Sequence, residues 1–317
     1  MRPLTHSLFA ASFGRSGETL LPFPVTNNRN PLDLVNLTPL MELSSGRTET
    51  IIALIDGPVA THHPDLSSTN MQEIPGRLRG ACARPNSIAC MHGTFVAGIL
   101  SARRGSKAPS ISPDCTLLVR PIFAESASGI PDMPAATPEE LATAIMDCSE
   151  AGADVINLSA GLVQGSARGE RKLKEALDIC AQRDSVVVAA AGNQGTIGSS
   201  AITRHPWVIS VVACDLRGQP MGYSNFGNSI GRRGLSAPGD GITSISADGK
   251  APTFGGTSAA APFVTGTIAL LKSMFPKATG AGVKFALMQG HAHRRATIVP
   301  TLLDAWAAYQ ILQQVQR

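Results

Sequence analysis

Short runs of apolar and β-branched residues recur through the middle of the chain, separated by longer segments of mixed polarity. Runs of about 4 to 8 residues that are apolar at nearly every position are typical of parallel strands buried on both faces. The pattern predicts strands over residues 50–55, 116–121, 154–159, 185–191 and 208–213.

Helical patterns alternate with these runs. The clearest begins at Thr137, a capping residue that is followed by Pro138 and by Glu140, the glutamate of a capping box. A second spans residues 168–182, with apolar residues at helical spacing on one face. The alternation predicts an α/β fold with three layers, α/β/α, in which helices cover both faces of a mostly parallel central sheet. In such a fold the active site is expected at the carboxyl ends of the strands.

The two ends of the chain differ from this middle part. Residues 1–48 are rich in proline and have little periodicity, which predicts an N-terminal arm over the surface, a mobile segment or a short pro-segment. Residues 49–317 would then form one domain. An amphipathic C-terminal helix is expected to begin at Pro300 and to pack on that domain.

Composition argues against several classes of partner. The 317 residues, 43% of them hydrophobic, are enough for the core of one large domain. A net charge of +4, with 4% aromatic residues and no long run of lysine or arginine, argues against nucleic acid binding. No stretch reaches the roughly 18 apolar residues of a membrane span, and the N-terminus lacks the apolar core of a secretory signal. We therefore expect a cytoplasmic protein, and the oligomeric state is not indicated.

The six cysteines form no Cys-x-x-Cys pair and no zinc-binding pattern, so no metal site is predicted. In a cytosolic protein most cysteines are reduced and packed in the core. Cys82 and Cys90 bracket a short loop just before His92, and a bridge between them would brace that loop. Two free thiols are nevertheless the favoured interpretation of this pair.

Three polar residues have settings that indicate chemistry. Asp56 ends the apolar run IIALI, and His92 begins HGTFVAGIL, where a glycine and a threonine precede a helix-compatible stretch. Ser258 follows two glycines and a threonine and opens an apolar helical stretch to about residue 275. Taken singly, such an aspartate or serine is better explained as a cap, and such a histidine as an ordinary surface or core residue. In the order Asp, His, Ser they match one arrangement of the catalytic triad for acyl transfer.

A fourth candidate, Asn193, follows the strand predicted over residues 185–191. Asparagine beside glycine is by itself typical of a turn. Together with a nucleophilic serine, its side-chain amide is a candidate donor to the oxyanion that forms during acyl transfer.

The segments DGPV, HGTFVAG, NLSAG, AAAGN and GTSAAAP resemble, in this order, the signature blocks of the subtilisin-like serine proteases. The resemblance covers roughly residues 49–275. It implies a subtilisin-like fold and a serine endopeptidase that forms an acyl-enzyme on a peptide or protein substrate. Asp56, His92 and Ser258 would be the catalytic residues, and Asn193 would contact the oxyanion.

The same resemblance implies which segments contact the substrate. Residues 157–161 match the edge strand that pairs with an extended substrate backbone. Residues 190–192 match the lining of the pocket for the side chain before the scissile bond. The substrate-binding residues so implied are Asn157, Leu158, Ser159, Ala160, Gly161, Ala190, Ala191 and Gly192.

The chain also departs from the family pattern. After the stretch that begins at His92 it runs ILSARRGSKAPSISPD, which supplies arginines and a lysine where many secreted relatives carry a calcium-binding loop. That calcium site is predicted to be absent and no cofactor is expected, although calcium sites in other loops stay open. Ala259 follows the serine where many relatives have methionine, which predicts resistance to peroxide at this position.

A finer resemblance concerns the substrate. The combination of DGPV, VRPIF and AGADVINLSAG is similar to proteases that mature ribosomally made peptides, particularly those that cleave the leader from cyanobactin precursors. This implies processing of one dedicated precursor inside the cell. Two alternatives stay open: a general intracellular degradative subtilase, and a catalytically silent pseudoprotease that binds peptides in the same groove.

Overall fold

The structure is a computed structural model that describes residues 30–66, 70–125, 136–159, 167–289 and 297–315. Its strands are β1 (Ile51–Asp56), β2 (Met71–Glu73), β3 (Thr116–Pro121), β4 (Val155–Leu158), β5 (Val186–Ala190), β6 (Val208–Cys214), β7 (Leu235–Pro238), β8 (Ile242–Thr243), β9 (Thr253–Phe254) and β10 (Thr301–Leu302). Its helices are α1 (Pro31–Leu34), α2 (Thr38–Leu43), α3 (Ile88–Ser101), α4 (Pro138–Glu150), α5 (Ala167–Gln182), α6 (Ala201–Arg204), α7 (Asn228–Arg233), α8 (Thr257–Met274), α9 (Gly280–Gln289) and α10 (Ala305–Val315).

A sheet of eight strands forms the centre of the fold, in the order β10-β7-β6-β5-β4-β1-β3-β2. Every pairing in this sheet is parallel within the described chain, and β8 and β9 form a separate antiparallel pair. Successive residues of a strand face opposite layers. In β1, Ile52 and Leu54 pack in the cluster that contains α3 and α8, whereas Ala53 and Ile55 pack in the cluster that contains α4 and α5. The predicted three-layer α/β/α fold is confirmed.

The predicted elements in the middle of the chain agree closely with the observed ones. The five predicted strands are β1, β3, β4, β5 and β6, and each end lies within one residue of its prediction. At the start of α4 the Thr137 hydroxyl accepts a hydrogen bond from the Glu140 N–H at 3.1 Å, and the Glu140 carboxylate accepts one from the Thr137 N–H at 3.0 Å. This reciprocal pair is the predicted capping box.

Two predicted boundaries are wrong. The helix that carries His92 begins at Ile88, not after the glycine and threonine that follow His92, because the Ser87 hydroxyl accepts from the Cys90 N–H and caps an earlier turn. At the C-terminal end, the segment after Pro300 first forms β10, which pairs with β7, and the helix α10 begins only at Ala305.

The described part of the N-terminal segment packs into the domain and does not simply lie over it. Val35, Leu37 and Leu40 are fully buried in the same cluster as α3 and α8. The Arg104 guanidinium donates hydrogen bonds to the carbonyl oxygens of Met41 and, at 2.7 Å, of Ser44. Residues 30–44 are therefore tied to the core through both apolar and polar contacts.

The strand order determines where a site can form. After β1 the chain adds β2 and β3 on one side of β1 and then crosses to β4 on the other side. Where the strand order reverses in this way, the carboxyl ends of the two strands flank a crevice. The crevice here lies beyond the ends of β1 and β4.

Among the described residues, no helix combines the length and apolar character needed to span a membrane.

Candidate active site

Asp56 is the last residue of β1 and its side chain is fully buried. Its Oδ1 accepts a hydrogen bond from His92 Nδ1 at 2.7 Å and another from the Gly57 N–H at 2.6 Å. Because the carboxylate accepts, the proton of a neutral His92 ring is on Nδ1 and its Nε2 carries a lone pair. This is the tautomer in which Nε2 can act as a base.

Two glycines allow β1 and α3 to approach closely enough for this contact. A Cβ on Gly57 would overlap the carbonyl oxygen of Ala89, and a Cβ on Gly93 would lie 2.5 Å from the carbonyl oxygens of Gly57 and Pro58. His92 lies on α3 immediately before Gly93. The chain at the end of β1 thus contacts the backbone of α3 directly.

The His92 side chain is 19% exposed, so one part of the ring remains accessible while the Asp56 side is enclosed. Burial opposes the charged imidazolium, but the negative charge of Asp56 and its hydrogen bond outweigh that effect and raise the pKa of His92 above its ordinary value of 6.5. The raised pKa makes the His92 ring a stronger base, as is needed to accept a proton from a hydroxyl group.

Ser258 lies in the first turn of α8, after Gly256, which caps the helix with a φ of 126°. The N–H groups of Ala259 and Ala260 both donate to the Gly256 carbonyl oxygen. The first N–H groups of a helix have no partner from an earlier turn and carry the positive end of the helix dipole. Half-buried Ser258 therefore presents its hydroxyl and its N–H at an electropositive helix end.

No hydrogen bond joins Ser258 to His92 within the described chain. Both residues lie on helices that pack against each other, since α3 contacts α8 directly. In sites without substrate, catalytic hydrogen bonds are often long and tighten only when substrate binds. The hydrogen bond between Asp56 and His92 is thus observed. The contact of His92 with Ser258 stays a prediction.

The Asn193 side chain is anchored at its oxygen end. Its Oδ1 accepts hydrogen bonds from the Thr257 N–H at 2.9 Å and from the Thr257 hydroxyl at 3.0 Å. Because a backbone N–H only donates, these contacts fix which end of the amide is oxygen. Its Nδ2 lies beside Gly256, 3.0 Å from where a Cβ on that glycine would be. An N–H donor is thereby held next to the turn that precedes Ser258.

The sequence patterns missed the role of Thr257. Its hydroxyl donates to Asn193 Oδ1 and accepts a hydrogen bond from the Gly192 N–H at 3.1 Å. One side chain therefore connects the end of β5 to the start of α8. Its position directly before the serine was the only signal in the sequence, and a threonine in a glycine-rich turn is too common to indicate this contact.

The implied substrate-binding residues fall into two groups. β4, which contains Asn157 and Leu158, lies between β1 and β5, so for these two residues the prediction of an edge strand is wrong. Asn157 and Leu158 are fully buried, and Asn157 Oδ1 accepts from the Thr265 hydroxyl of α8 at 2.8 Å while its Nδ2 donates to the Ser159 hydroxyl at 2.7 Å. Asn157 therefore ties β4 to α8 inside the core, where a substrate cannot reach it.

The remaining described residues of these segments lie nearer the crevice. Ser159 directly follows β4 and is 5% exposed, and Ala160 and Gly161 lie outside the described residues. Ala190 and Ala191 at the end of β5 are 6% and 8% exposed, whereas the four preceding residues of that strand are fully buried. The least buried part of β5 is thus its carboxyl end, next to Thr257 and α8.

A disulfide joins Cys82 to Cys90, with 5.6 Å between their Cα atoms, so the favoured interpretation of two free thiols is wrong in this structure. The bridge ties the loop before α3 to the first turn of that helix, two residues before His92. Glu125 lies close to both sulfur atoms, but its carboxylate already accepts from the N–H groups of Ala83 and Arg84 at 3.0 and 2.7 Å. Bridged sulfurs are not thiolate ligands, so these residues do not form a metal site in this state.

Comparison with known proteins identifies the family. The model of the subtilase family of S8 peptidases matches residues 47–302. The chain belongs to the subtilase family. Subtilisin amylosacchariticus from Bacillus subtilis subsp. amylosacchariticus is 30% identical over 244 residues, which cover 74% of this chain and 58% of the relative. The thermophilic serine proteinase of Bacillus sp. (strain AK1) is 31% identical over 238 residues, covering 73% of this chain and 54% of the relative. The chain therefore spans less than two thirds of the length of these subtilases.

Solved structures of similar subtilases match nearly their full length. A serine-to-alanine mutant of the protease domain of PatA, a patellamide maturation protease, superposes with a TM-score of 0.76 at 30% identity, covering 85% of this chain and 97% of that one. The prenylagaramide maturation protease PagA superposes with a TM-score of 0.74 at 27% identity, covering 87% of this chain and 98% of that one. The subtilase domain thus has the architecture of these two maturation proteases.

Proposed function

We propose that this subtilase is a serine endopeptidase that hydrolyses peptide bonds through an acyl-enzyme. Ser258 Oγ attacks the scissile carbonyl carbon while His92 Nε2 takes the hydroxyl proton, and the imidazolium then gives that proton to the departing amine. Water repeats the sequence on the acyl-serine, again with His92 as base, and releases the carboxylic acid and free Ser258. Asp56 holds the Nδ1–H tautomer and stabilises the imidazolium.

The hydrogen bond of 2.7 Å between Asp56 and His92 is the observation that carries this proposal. It combines a fully buried carboxylate with a partly accessible imidazole, at the crevice where the strand order reverses. The oxyanion in the tetrahedral intermediate would accept from Asn193 Nδ2 and from the Ser258 N–H. Loss of one such donor lowers kcat by about 100-fold to 1000-fold in related chemistry.

The substrate we propose is a precursor peptide from which the enzyme removes a leader. Support comes from the likeness to PatA and PagA, which are maturation proteases and match this chain over 85% and 87% of its length. The subtilisins among the relatives support only the coarser statement that a peptide or protein is cleaved. General degradation is the competing function.

A cleavage profile tests both levels of the proposal. Purified protein is incubated with a diverse peptide library, the products are identified by mass spectrometry, and the Ser258→Ala variant is the matched control. Cleavage by the wild type alone supports the endopeptidase, and a narrow sequence motif supports precursor processing. Broad cleavage would replace precursor processing by degradation, and equal cleavage by Ser258→Ala would contradict the mechanism.

A further inference from the structure

Asn225, in the loop between β6 and α7, forms hydrogen bonds on both sides of Asn193. Its Oδ1 accepts from the Gln194 N–H at 3.1 Å, from the Thr196 N–H at 3.1 Å and from the Thr196 hydroxyl at 3.0 Å. Its Nδ2 donates to the Ala191 carbonyl oxygen at 3.0 Å and to Gln194 Oε1 at 2.7 Å. A single side-chain amide thus joins three residues of the segment that contains Asn193.

The backbone of Asn225 adds a further contact to the same segment. Its N–H donates to the Gly192 carbonyl oxygen at 2.9 Å. Gly192 has a φ of 101°, and a Cβ at this position would overlap Asn225 Nδ2. The turn at Gly192 is therefore shaped around the Asn225 amide, and only glycine fits between them.

Backbone hydrogen bonds also hold this segment: the Gly195 N–H donates to the Tyr223 carbonyl oxygen at 2.7 Å, and the Thr196 carbonyl oxygen accepts from the Phe226 N–H at 2.9 Å. Residues 191–196 follow the end of β5 without regular secondary structure, and the part from Gly195 onward is exposed. Thr257 fixes the oxygen end of the Asn193 side chain and also accepts from the Gly192 N–H. Asn225 adds side-chain hydrogen bonds to the residues immediately before and after the Gly192–Asn193 pair.

We propose that Asn225 is a positioning residue for the reaction, and that it acts through Asn193. It sets the backbone from which the Asn193 amide reaches the oxyanion, without itself contacting the reacting atoms. Oxyanion donors are effective because they are held in place before the charge develops. A displacement of about 1 Å at such a site can lower the rate by about 100-fold. The inference rests on the endopeptidase function proposed above.

A double-mutant cycle separates positioning from simple loop stability. We compare kcat and KM for the wild type, Asn225→Ala, Asn193→Ala and the double variant on a peptide taken from the cleavage profile. If Asn225 acts through Asn193, Asn225→Ala lowers kcat by about 10-fold to 100-fold in the wild type, with KM changed less than about 3-fold. In the Asn193→Ala background the same change costs less than about 2-fold, because the group that it positions is already missing.

Two further variants keep the test decisive. Asn225→Asp keeps an oxygen that accepts from Gln194 and Thr196, but it replaces both donated bonds by contact of a carboxylate oxygen with acceptor oxygens, so its kcat is expected below that of the wild type. Thr137→Ala removes the cap of α4 and so lowers the stability of the fold, and its kcat is expected to stay at the wild-type value. It controls for a loss of stability alone.

The outcomes are distinct. Equal loss of kcat from Asn225→Ala in both backgrounds, or an unchanged kcat in a folded Asn225→Ala variant, would overturn the positioning role while leaving the endopeptidase in place. A folded wild type that cleaves nothing would overturn the proposed function and this inference together. If Asn225→Ala does not fold, the same cycle with Asn225→Asp decides the matter by the same criteria.

Discussion

The backbone of Gly93 lies directly against the carbonyl oxygen of Gly57, where the end of β1 crosses the first half of α3. A Cβ on Gly93 would lie 2.5 Å from that oxygen, closer than side-chain carbons approach backbone atoms in folded proteins. The neighbours of these glycines in the chain are Asp56 and His92, whose side chains are 2.7 Å apart. The distance between the backbone of α3 and the backbone at the end of β1 therefore sets the geometry of His92, the proposed base.

We expect Gly93→Ala to impair catalysis more than folding. The added methyl group pushes β1 away from α3 and lengthens the bond between Asp56 and His92, so kcat should fall by about 10-fold or more. Gly282→Ala, on α9, is the matched control, because its Cβ would meet only the Thr279 hydroxyl oxygen, at 3.3 Å. Steady-state kinetics and thermal unfolding of both variants check this, and wild-type kcat in Gly93→Ala would contradict it.

The pH dependence of activity should reflect the raised pKa of His92. The base must be neutral to accept the Ser258 proton, so kcat/KM is expected to fall as pH decreases through the pKa of His92, with the midpoint above 6.5. The midpoint is raised because the negative charge of Asp56 favours the imidazolium. A pH profile of kcat/KM measures it, and a midpoint below 6.5 would show that burial prevails over Asp56.

Stability should change in the opposite direction over the same pH range. Because the pKa of His92 is higher in the folded protein than in the unfolded chain, the proton on His92 stabilises the folded protein. This contribution is fully present below the unfolded pKa and is lost as pH rises through the folded pKa. Unfolding free energies of Ser258→Ala, which avoids self-cleavage, are compared with those of the Ser258→Ala/His92→Ala double variant. We expect the difference between them to shrink as pH rises from below 6.5 through the raised pKa of His92, and a growing difference would contradict the sign.

Thr257 should contribute to kcat through the hydrogen bonds of its hydroxyl and not through the volume of its side chain. Thr257→Val keeps the volume but leaves the Gly192 N–H without its acceptor and removes one donor from Asn193 Oδ1, so kcat is expected to fall by about 10-fold to 100-fold. Thr257→Ser keeps both hydrogen bonds and should retain activity within about 3-fold of the wild type. Loss of equal size in both variants would assign the effect to the missing methyl group and not to the hydroxyl.

The disulfide between Cys82 and Cys90 should make stability sensitive to reductant. It closes a loop with a sequence separation of 8, for which the chain-entropy relation gives a stabilisation of about 2 to 3 kcal/mol. Thermal unfolding with and without reductant measures this, and Cys82→Ser/Cys90→Ser should not respond to reductant because the other four cysteines are buried and free. Mass spectrometry that finds six free thiols in the untreated protein would contradict the bridge.

The central fold could be predicted from the sequence because its signals are local. Five strands are apolar runs whose burial on both faces needs no information about partners, and the cap of α4 is contained in four successive residues. The triad candidates were found because their order along the chain is itself informative. Each of those signals is complete within a short segment or a simple order.

What the sequence did not indicate depends on contacts between distant segments. β10 exists only because Thr301 and Leu302 pair with β7, and two residues carry no strand pattern of their own. The interior position of Asn157 follows from the strand order, which the pattern of β4 alone does not contain. The hydrogen bonds of Asn225 reach residues 29 to 34 positions earlier in the chain, so no local motif predicts them.

The most direct test of the account is covalent labelling with a fluorophosphonate, which reacts with an activated serine and not with a peptide-binding groove. The account predicts that the wild type is labelled and that peptide mapping places the adduct on Ser258. It also predicts no label at this position in Ser258→Ala and labelling at least about 100-fold slower in folded His92→Ala. A folded wild type that resists the probe, or that is labelled at another serine, would contradict the assignment of Ser258 as the nucleophile.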